Sequence, residues 1–195
     1  MSPGLSQPPR IGLLGGSFNP AHAGHREISL TAIESLSLDA VWWLVTPGNP
    51  LKNARDYAPL EERLAHAETI ADHPNIIISN FEQRHNLQYT VDTLKTLIDF
   101  NPTTHFIWLM GADSLETFHL WRDWKKITQL VSIAVFNRPG YKPAALDSIA
   151  ATHLASYRHD ERDAENFLNH RPPAWIFFSA TNNPISSTTL RAANS

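Results

Sequence analysis

Residues 11–25 of the chain are IGLLGGSFNPAHAGH, a short apolar run that leads through two glycines into a loop with two histidines. The apolar run at residues 11–18 predicts a buried strand, and from His25 to Leu36 apolar residues recur at helical spacing. A strand, a loop and a helix in this order form the opening unit of an α/β fold.

The same alternation of strand and helix continues along the chain. Continuous apolar runs predict further strands at residues 41–46, 76–79, 104–110, 132–137 and 175–179. Helical spacing predicts helices at residues 60–71, 90–100, from 114 onward, 124–130 and around 144–157. Strands that are apolar at successive positions are buried on both faces. The sequence therefore predicts an α/β fold with a single doubly wound, mostly parallel sheet and helices on both faces.

The length of 195 residues fits one domain of this kind, since a domain takes roughly 150 residues. Residues 1–9 are rich in Pro, Ser and Gln, and we expect them to be a flexible N-terminal tail ahead of a domain at residues 10–195. The acidic segment at residues 158–170 is predicted to be a solvated connection. Whether that segment closes over a ligand is left open.

The composition excludes several classes of function. The chain has 16 Lys and Arg against 19 Asp and Glu, and its net charge of −3 argues against a nucleic-acid-coating protein. It has no cysteine, which excludes disulfides, thiol nucleophiles and cysteine-ligated zinc. The longest apolar runs, at residues 40–45 and 106–110, are far too short to span a bilayer. We therefore expect a cytoplasmic protein with no nucleic-acid or membrane partner, in which any phosphate chemistry comes from a focused site.

The loop after the first predicted strand carries the strongest chemical signal. Gly15 and Gly16 let the backbone come close to a ligand, and exposed N–H groups at the following helix start favour an anion. The glycines have neither the Lys-Ser/Thr of a P-loop nor G-x-G-x-x-G spacing. His22 and His25 are three residues apart and can point imidazole donors at the same oxyanions. Two alternatives stay open: a tight turn with surface or capping histidines, and a zinc site that would need a third protein ligand.

Two segments resemble the signatures of one enzyme superfamily. GSFNPAHAGH at residues 16–25 is similar to the (T/H)xGH signature of nucleotidyltransferases, and ISSTTLR at residues 185–191 is similar to their ISSTxxR signature. Within that superfamily, QYT (88–90), GADSL (111–115), TFHLW (117–121) and RPGY (138–141) resemble segments of bacterial nicotinate mononucleotide adenylyltransferases. The resemblance extends over residues 10–191 and implies the Rossmann-like nucleotidyltransferase fold.

This resemblance implies roles for particular residues. The residues implied in catalysis are His22, His25, Lys52 and Thr188. Those implied in ATP binding are Gly15, Gly16, Ser17, Phe18, His22, His25, Gly111, Asp113, Arg138, Ile185, Ser186, Thr188 and Arg191. Those implied in nicotinate mononucleotide binding are Ser17, Phe18, Lys52, Tyr89, Thr90, Trp121 and Arg122. In the last set the lysine supplies a mobile point charge, and the tryptophan can stack on a flat ring.

Several of these residues also have a plainer interpretation. Lys52 by itself would be a solvated loop lysine, and Trp121 would be a core residue. Asp113 can be the N-cap of a helix that begins near Ser114, and Arg138 can pair with a surface carboxylate. The C-terminal motif can be a capped helix with no ligand.

The resemblance implies an enzyme that transfers AMP from ATP to nicotinate mononucleotide, a late step of NAD biosynthesis. The products are deamido-NAD and pyrophosphate. The acceptor phosphate attacks the α-phosphorus of ATP in line, without a covalent enzyme intermediate. Mg²⁺ is expected on the ATP phosphates, with no metal site built from protein ligands.

Other functions stay open at this point. A sibling transferase would adenylylate phosphopantetheine or transfer CMP to a phosphorylated alcohol, and a protein of another class would be a non-catalytic nucleotide-binding regulator. The sequence does not decide between nicotinate and nicotinamide mononucleotide, nor the oligomeric state, of which a homodimer is one option. The chain ends at Ser195, shortly after Arg191, whereas many relatives continue through another helical stretch, which leaves subunit association open.

Overall fold

The computed structural model describes residues 7–48, 58–137 and 143–179. Within them lies a seven-stranded sheet in the order β3-β2-β1-β4-β5-β7-β6, in which every described strand pair is parallel. The strands are β1 (Arg10–Gly16), β2 (Ala40–Val45), β3 (Ile76–Ser79), β4 (His105–Gly111), β5 (Ser132–Phe136), β6 (Arg158–His159) and β7 (Trp175–Phe178).

Helices connect the strands. The α-helices are α1 (Ala23–Ser35), α2 (Leu60–Ala71), α3 (Phe81–Arg84), α4 (Thr90–Phe100), α5 (Ala112–Thr117), α6 (Trp124–Leu130) and α7 (Ile149–His153). Short 3₁₀ segments span Phe118–Leu120, Pro143–Asp147, Ala155–Tyr157 and Glu161–Asn169. In the described parts of the chain, no helix has the length and apolarity needed to cross a membrane.

The sheet separates two hydrophobic cores. Because neighbouring residues of a strand point to opposite faces, Leu13 and Leu14 of β1 lie in different cores. One core contains buried residues of α1, α2 and the segment Glu161–Asn169. The other contains buried residues of α4, α5, α6 and α7. The predicted fold class, a doubly wound sheet with helices on both faces, is therefore confirmed.

The strand order also indicates where a ligand is expected to bind. From β1 the chain first winds outward through β2 and β3, and it then returns to β4 on the other side of β1. In sheets of this kind a crevice opens at the carboxyl ends of the two strands where the winding reverses. Here those strands are β1 and β4, and the loop at residues 17–22 follows β1 directly.

Some predicted helices begin and end where expected, namely α2, α4 and α6. The single helix expected around residues 144–157 is wrong, because that region forms two 3₁₀ segments with α7 between them. Ser148 explains the break. Its backbone is extended, and its hydroxyl accepts a hydrogen bond from the Ala151 backbone N at 3.2 Å, which starts a new helix.

Most of the segment at residues 158–170 is exposed, as predicted, but the expectation that it is only a connection is wrong. The segment adds β6 to the edge of the sheet, and Phe167 of the following 3₁₀ segment is fully buried in a core. Asp160 begins that 3₁₀ segment by accepting a hydrogen bond from the Arg162 backbone N at 2.9 Å. Most residues of this segment are exposed, and buried Phe167 packs it against the sheet.

The division of the chain into a tail and one domain stays a prediction. Residues 1–6 lie outside the described residues. The Pro9 carbonyl oxygen accepts a hydrogen bond from the His105 backbone N at 2.7 Å, just before β1 and β4 pair.

Candidate active site

Two histidines at the start of α1 hold each other through the backbone. His22 is the N-cap, and its Nδ1 accepts a hydrogen bond from the Gly24 backbone N at 3.1 Å. In return, Nδ1 of His25 accepts from the His22 backbone N at 3.2 Å. The ring centroids are 3.7 Å apart, and His22 is buried. The structure therefore brings together the two histidines predicted to grip phosphate.

These bonds determine which ring atoms can donate. A nitrogen that accepts a hydrogen bond carries no proton, so a neutral imidazole in this arrangement has its proton on Nε2. Both Nδ1 atoms accept from backbone N–H groups. The capping interpretation is thus correct for Nδ1, and it makes Nε2 of both His22 and His25 the hydrogen-bond donor. A pair of donors beside a helix N-terminus suits phosphate oxygens.

Buried aromatic rings pack against the loop after β1. Phe18 has a left-handed backbone with φ 45°, and its ring stacks on Trp43 with centroids 4.9 Å apart. The Phe18 ring also lies 4.7 Å from the His25 ring. Phe18 is only 1% exposed, so the structure places it beneath the loop as a support and not on its open surface.

Trp43 adds a second support. Its Nε1 donates to the Ser29 hydroxyl at 2.7 Å, and that hydroxyl donates to the His25 carbonyl oxygen at 2.8 Å. Both Trp43 and Ser29 are fully buried. The buried pair of Trp43 and Ser29 therefore connects the first turn of α1 to β2.

The Trp108 ring leaves no room for a side chain at Gly15. A Cβ at this position would lie 2.9 Å from Cζ2 of Trp108, and nearer still to its Cη2, which the ring cannot accommodate without moving. At Gly16 a Cβ would meet Phe18 at an ordinary 3.5 Å. Trp108 in turn meets Trp121 edge to face, with centroids 6.1 Å apart. A short aromatic path thus links the end of β1 to a residue of the predicted acceptor pocket.

Arg63 is a buried residue that the sequence analysis missed. Although it lies in the first turn of α2, it is only 3% exposed. Its guanidinium donates to the carbonyl oxygens of Ser17 at 2.6 Å, Thr46 at 2.8 Å, Pro47 at 3.2 Å and Ala58 at 2.9 Å. One side chain therefore joins the loop after β1, the end of β2 and the entry to α2.

A sequence signal for Arg63 does exist. The buried positions of α2 are Arg63, Ala67 and Ala71, which are spaced four apart as on one helix face. An arginine in line with two alanines on the buried face is a candidate for backbone contacts, because its five donors can satisfy several carbonyls at once.

The predicted acceptor residues lie together near the start of α4. Tyr89 is the N-cap of α4, and Thr90 is its first residue. The Arg122 guanidinium carbon lies 4.5 Å above the Tyr89 ring, a cation–π contact between two residues predicted to bind the same ligand. Trp121 is half-buried and packs edge to face on Phe118 at 5.3 Å. The core interpretation of Trp121 therefore holds for one side of its ring.

The end of β4 differs in detail from the prediction. Helix α5 begins at Ala112 with Gly111 as its N-cap, so the expectation that Asp113 caps a helix from Ser114 is wrong. The reason is that Gly111 takes the extended cap conformation, with ψ 160°, and Asp113 falls within the first turn. Gly111 is buried and Asp113 is half-buried at the carboxyl end of the strand.

Six predicted site residues lie outside the described residues and stay predictions: Lys52, Arg138, Ile185, Ser186, Thr188 and Arg191. Within residues 7–48, 58–137 and 143–179, no group of three or more His, Cys, Asp and Glu side chains is placed to hold a metal ion.

A second buried charged residue, Glu82, was also missed. It follows β3 in α3 and is 6% exposed. The Thr93 hydroxyl donates to its Oε1 at 2.9 Å. Burial raises the pKa of Glu82, while hydrogen bonds with Thr93 and Thr46 act in the opposite direction. The sequence carried no signal for it, because α3 is too short to show a helical period.

Comparisons with known proteins agree with this geometry. The family model described as cytidylyltransferase-like matches residues 13–193. The chain is 50% identical over 182 residues to a probable nicotinate-nucleotide adenylyltransferase of Methylorubrum extorquens, covering 93% of this chain and 98% of that protein. It is 47% identical over 185 residues to the probable nicotinate-nucleotide adenylyltransferase of Rhizobium meliloti, covering 95% and 98%.

A solved structure has the same fold at lower sequence identity. The nicotinic acid mononucleotide adenylyltransferase of Plasmodium falciparum, complexed with NaAD, matches with a TM-score of 0.69 and 17% identity, over 94% of this chain and 83% of that chain. At that identity the match supports the fold alone, whereas the family rests on the two bacterial relatives and the family model. The chain therefore belongs to the cytidylyltransferase-like family and, within it, to the nicotinate-nucleotide adenylyltransferases.

Proposed function

We propose that this chain transfers AMP from ATP to nicotinate mononucleotide, with the residues around the loop after β1 holding the triphosphate. The products are deamido-NAD and pyrophosphate. The observation that carries the proposal is the reciprocal capping of His22 and His25, which makes Nε2 of both rings a donor at the N-terminus of α1.

The chemistry needs positioning more than reactive groups. The phosphate of the mononucleotide attacks the α-phosphorus of ATP, the new P–O bond forms as the bond to pyrophosphate breaks, and pyrophosphate leaves with the electron pair. Both reactants are polyanions, so catalysis depends on donors and cations placed where charge accumulates. His22, His25 and the backbone N–H groups that begin α1 suit the leaving pyrophosphate.

Other residues complete the triphosphate side. Lys52 follows β2 in the sequence, and we expect it to act as a mobile cation near the phosphates. Thr188 and Arg191, in the ISSTTLR motif, are expected to contact the triphosphate as well, and Gly111 and Asp113 to meet the adenosine at the end of β4.

The acceptor side is built on Tyr89, Thr90, Trp121 and Arg122. The cation–π contact of Arg122 with Tyr89 supports a shared pocket, since it fixes a donor fork beside the start of α4. A flat pyridine ring can stack on the accessible side of Trp121, and its carboxylate suits guanidinium and hydroxyl donors.

We expect a divalent cation to enter the site with the nucleotide. The described groups at the start of α1 are imidazole and backbone N–H groups, which suit phosphate oxygens, whereas Mg²⁺ prefers oxygen ligands. Mg²⁺ usually keeps several waters and binds phosphates, and it then supplies charge neutralisation. The cytoplasmic location stays a prediction from the absence of cysteine.

The test is pyrophosphate release with ATP and a panel of acceptors. The panel contains nicotinate mononucleotide, nicotinamide mononucleotide and phosphopantetheine, and the products are identified by chromatography. We expect release with nicotinate mononucleotide and formation of deamido-NAD. Release only with phosphopantetheine would favour a sibling transferase, and ATP binding without release for any acceptor would favour a regulator; either result would contradict the proposal.

A further inference from the structure

Glu82 lies in a place where a carboxyl group is costly. It is 6% exposed, and glutamate is seldom fully buried unless its oxygens are satisfied. Its position directly after β3 is next to the carboxyl end of β2, and therefore near the crevice. Such a residue needs an explanation beyond surface solvation.

Glu82 is close to side chains of two other elements. The fully buried Thr93 of α4 donates its hydroxyl to Oε1 of Glu82 at 2.9 Å, and the Thr46 side chain, directly after β2, is near enough to lower the pKa of the Glu82 carboxyl. Thr46 is itself anchored, because its backbone N donates to the Gly16 carbonyl oxygen at 3.0 Å. Its own carbonyl accepts from the buried Arg63 guanidinium at 2.8 Å.

A path of neighbouring polar groups thus leads from the loop after β1 to helix α4, through Arg63, Thr46, Glu82 and Thr93. On the α4 side, the Tyr89 carbonyl oxygen accepts from the Thr93 backbone N at 3.0 Å and lies 3.3 Å from its hydroxyl oxygen. Tyr89 and Thr90 begin this helix, and Arg122 packs on the Tyr89 ring. The end of the path is therefore the acceptor side of the site.

We propose that Glu82 is a positioning residue that holds the first turn of α4 against the end of β2 and thereby sets the affinity for the acceptor mononucleotide. This inference rests on the proposed function. Glu82 does not touch the reacting atoms in this account. It acts through Thr93 on the placement of Tyr89 and Thr90.

The triphosphate side and the acceptor side of the site are expected to respond differently to loss of the Thr93–Glu82 bond, because different contacts hold them. His22 and His25 are fixed by their own capping bonds, and the His25 ring also packs near Phe18 and Trp43. None of those described contacts passes through Glu82. Loss of the bond between Thr93 and Glu82 is therefore expected to weaken mononucleotide binding and to leave the triphosphate side in place.

The bond that the test addresses is the one from Thr93. The Thr46 hydroxyl donates to the Gly48 carbonyl oxygen at 3.1 Å, whereas the Thr93 hydroxyl donates to Oε1 of Glu82 at 2.9 Å. The side-chain amide of glutamine has nearly the same shape as the carboxyl group and keeps an oxygen that can accept from Thr93. Glu82→Gln is therefore expected to preserve the bond to α4.

The main test is Thr93→Val, which removes one hydroxyl at nearly constant volume. We expect the KM for nicotinate mononucleotide to rise about tenfold, the scale of one lost buried hydrogen bond, with kcat and the ATP KM within about twofold. Glu82→Ala is expected to have the same effect, whereas Thr93→Ser and Glu82→Gln restore the KM.

The matched control is Thr96→Val on the same helix. The Thr96 hydroxyl donates only within α4 in the described contacts, to the Asp92 carbonyl oxygen at 2.9 Å. It makes the same chemical change without the link to Glu82 in α3, so its KM values are expected to equal those of the parent. A thermal melt of each variant shows that the protein is folded.

Two outcomes would overturn the inference. An unchanged mononucleotide KM in Thr93→Val would show that the link does not position the acceptor, and an equal rise of both KM values would show a general structural role. Failure of the proposed function is a separate result, because the parent protein would then form no deamido-NAD in the same assay.

Discussion

At the scale of single residues, the helix start at His22 has one set of bonds that can serve both the fold and the proposed chemistry. Both histidines use Nδ1 to satisfy backbone N–H groups that a helix leaves without partners. The same bonds orient Nε2 as a donor. A residue that caps a helix and a residue that binds phosphate are therefore not alternatives at this position.

Removal of His25 tests the donor role. His25→Ala is expected to lower kcat by about 10²–10³, the scale for losing one preorganised donor in the transition state. His25→Gln, whose amide nitrogen can approach the place of Nε2, is expected to recover part of this loss. Steady-state pyrophosphate release measures both variants. A near-normal kcat for the alanine variant would refute the assignment.

Gly15 and Gly16 form a natural pair for a packing test. Gly15→Ala forces a methyl group against the Trp108 ring and is expected to destabilise the protein by about 1–3 kcal/mol. Gly16→Ala makes an ordinary contact with Phe18 and is expected to cost less. Urea unfolding of both variants compares them. Equal stabilities would mean that Trp108 moves aside freely.

At the scale of elements, hydrophobic periodicity predicted the helices that are long enough to show it. Helices α2, α4 and α6 are regular enough for their bounds to follow from the sequence. Helix α3 has four residues, less than any period can reveal, and it holds the buried Glu82. The break at Ser148 depends on a capping bond, and runs of helical spacing do not show such bonds.

The site was predictable to a similar extent. The histidine pair lies in one continuous motif, and Tyr89 and the end of β4 lie in others, but the contact of Arg122 with Tyr89 depends on the fold. Arg63 and Glu82 are different, because their roles depend on carbonyl and hydroxyl groups that only the folded chain brings to them. Charged residues in short or weakly amphipathic helices look solvated until their partners are known.

We expect the edge of the sheet at β6 to make stability depend on pH. Burial and then the nearby His170 lower the pKa of His159, with Asp163 opposing them. The two imidazole rings are 3.9 Å apart. The unfolded chain takes up this proton near the ordinary value of 6.5, before the folded chain does, so stability falls as pH drops through that value.

We therefore expect the melting temperature to fall when the pH is lowered from about 7.5 to about 5.5, and to fall less in His159→Gln. Thermal melts followed by circular dichroism at both pH values measure this difference. His105→Gln, at an exposed position at the start of β4, is the control. The same acid-induced fall in His159→Gln as in the parent would contradict the assignment.

At the scale of the whole molecule, strand order concentrates the chemistry. The reversal between β1 and β4 brings the histidine loop and the start of α5 to one edge of the sheet, and the predicted acceptor residues come from the face of α4 and α6. Arg63 and Glu82 brace that edge from two sides. Membership of the nicotinate-nucleotide adenylyltransferases agrees with this arrangement, because two anionic nucleotides must meet at one point.

The most direct test of this account is a crystal structure of the full chain with a non-hydrolysable ATP analogue and nicotinate mononucleotide. We predict that Nε2 of His22 and of His25 lie within about 3.2 Å of oxygens of the β- or γ-phosphate, with the mononucleotide phosphate facing the α-phosphorus. An analogue bound away from the loop after β1, with both imidazoles directed elsewhere, would contradict it.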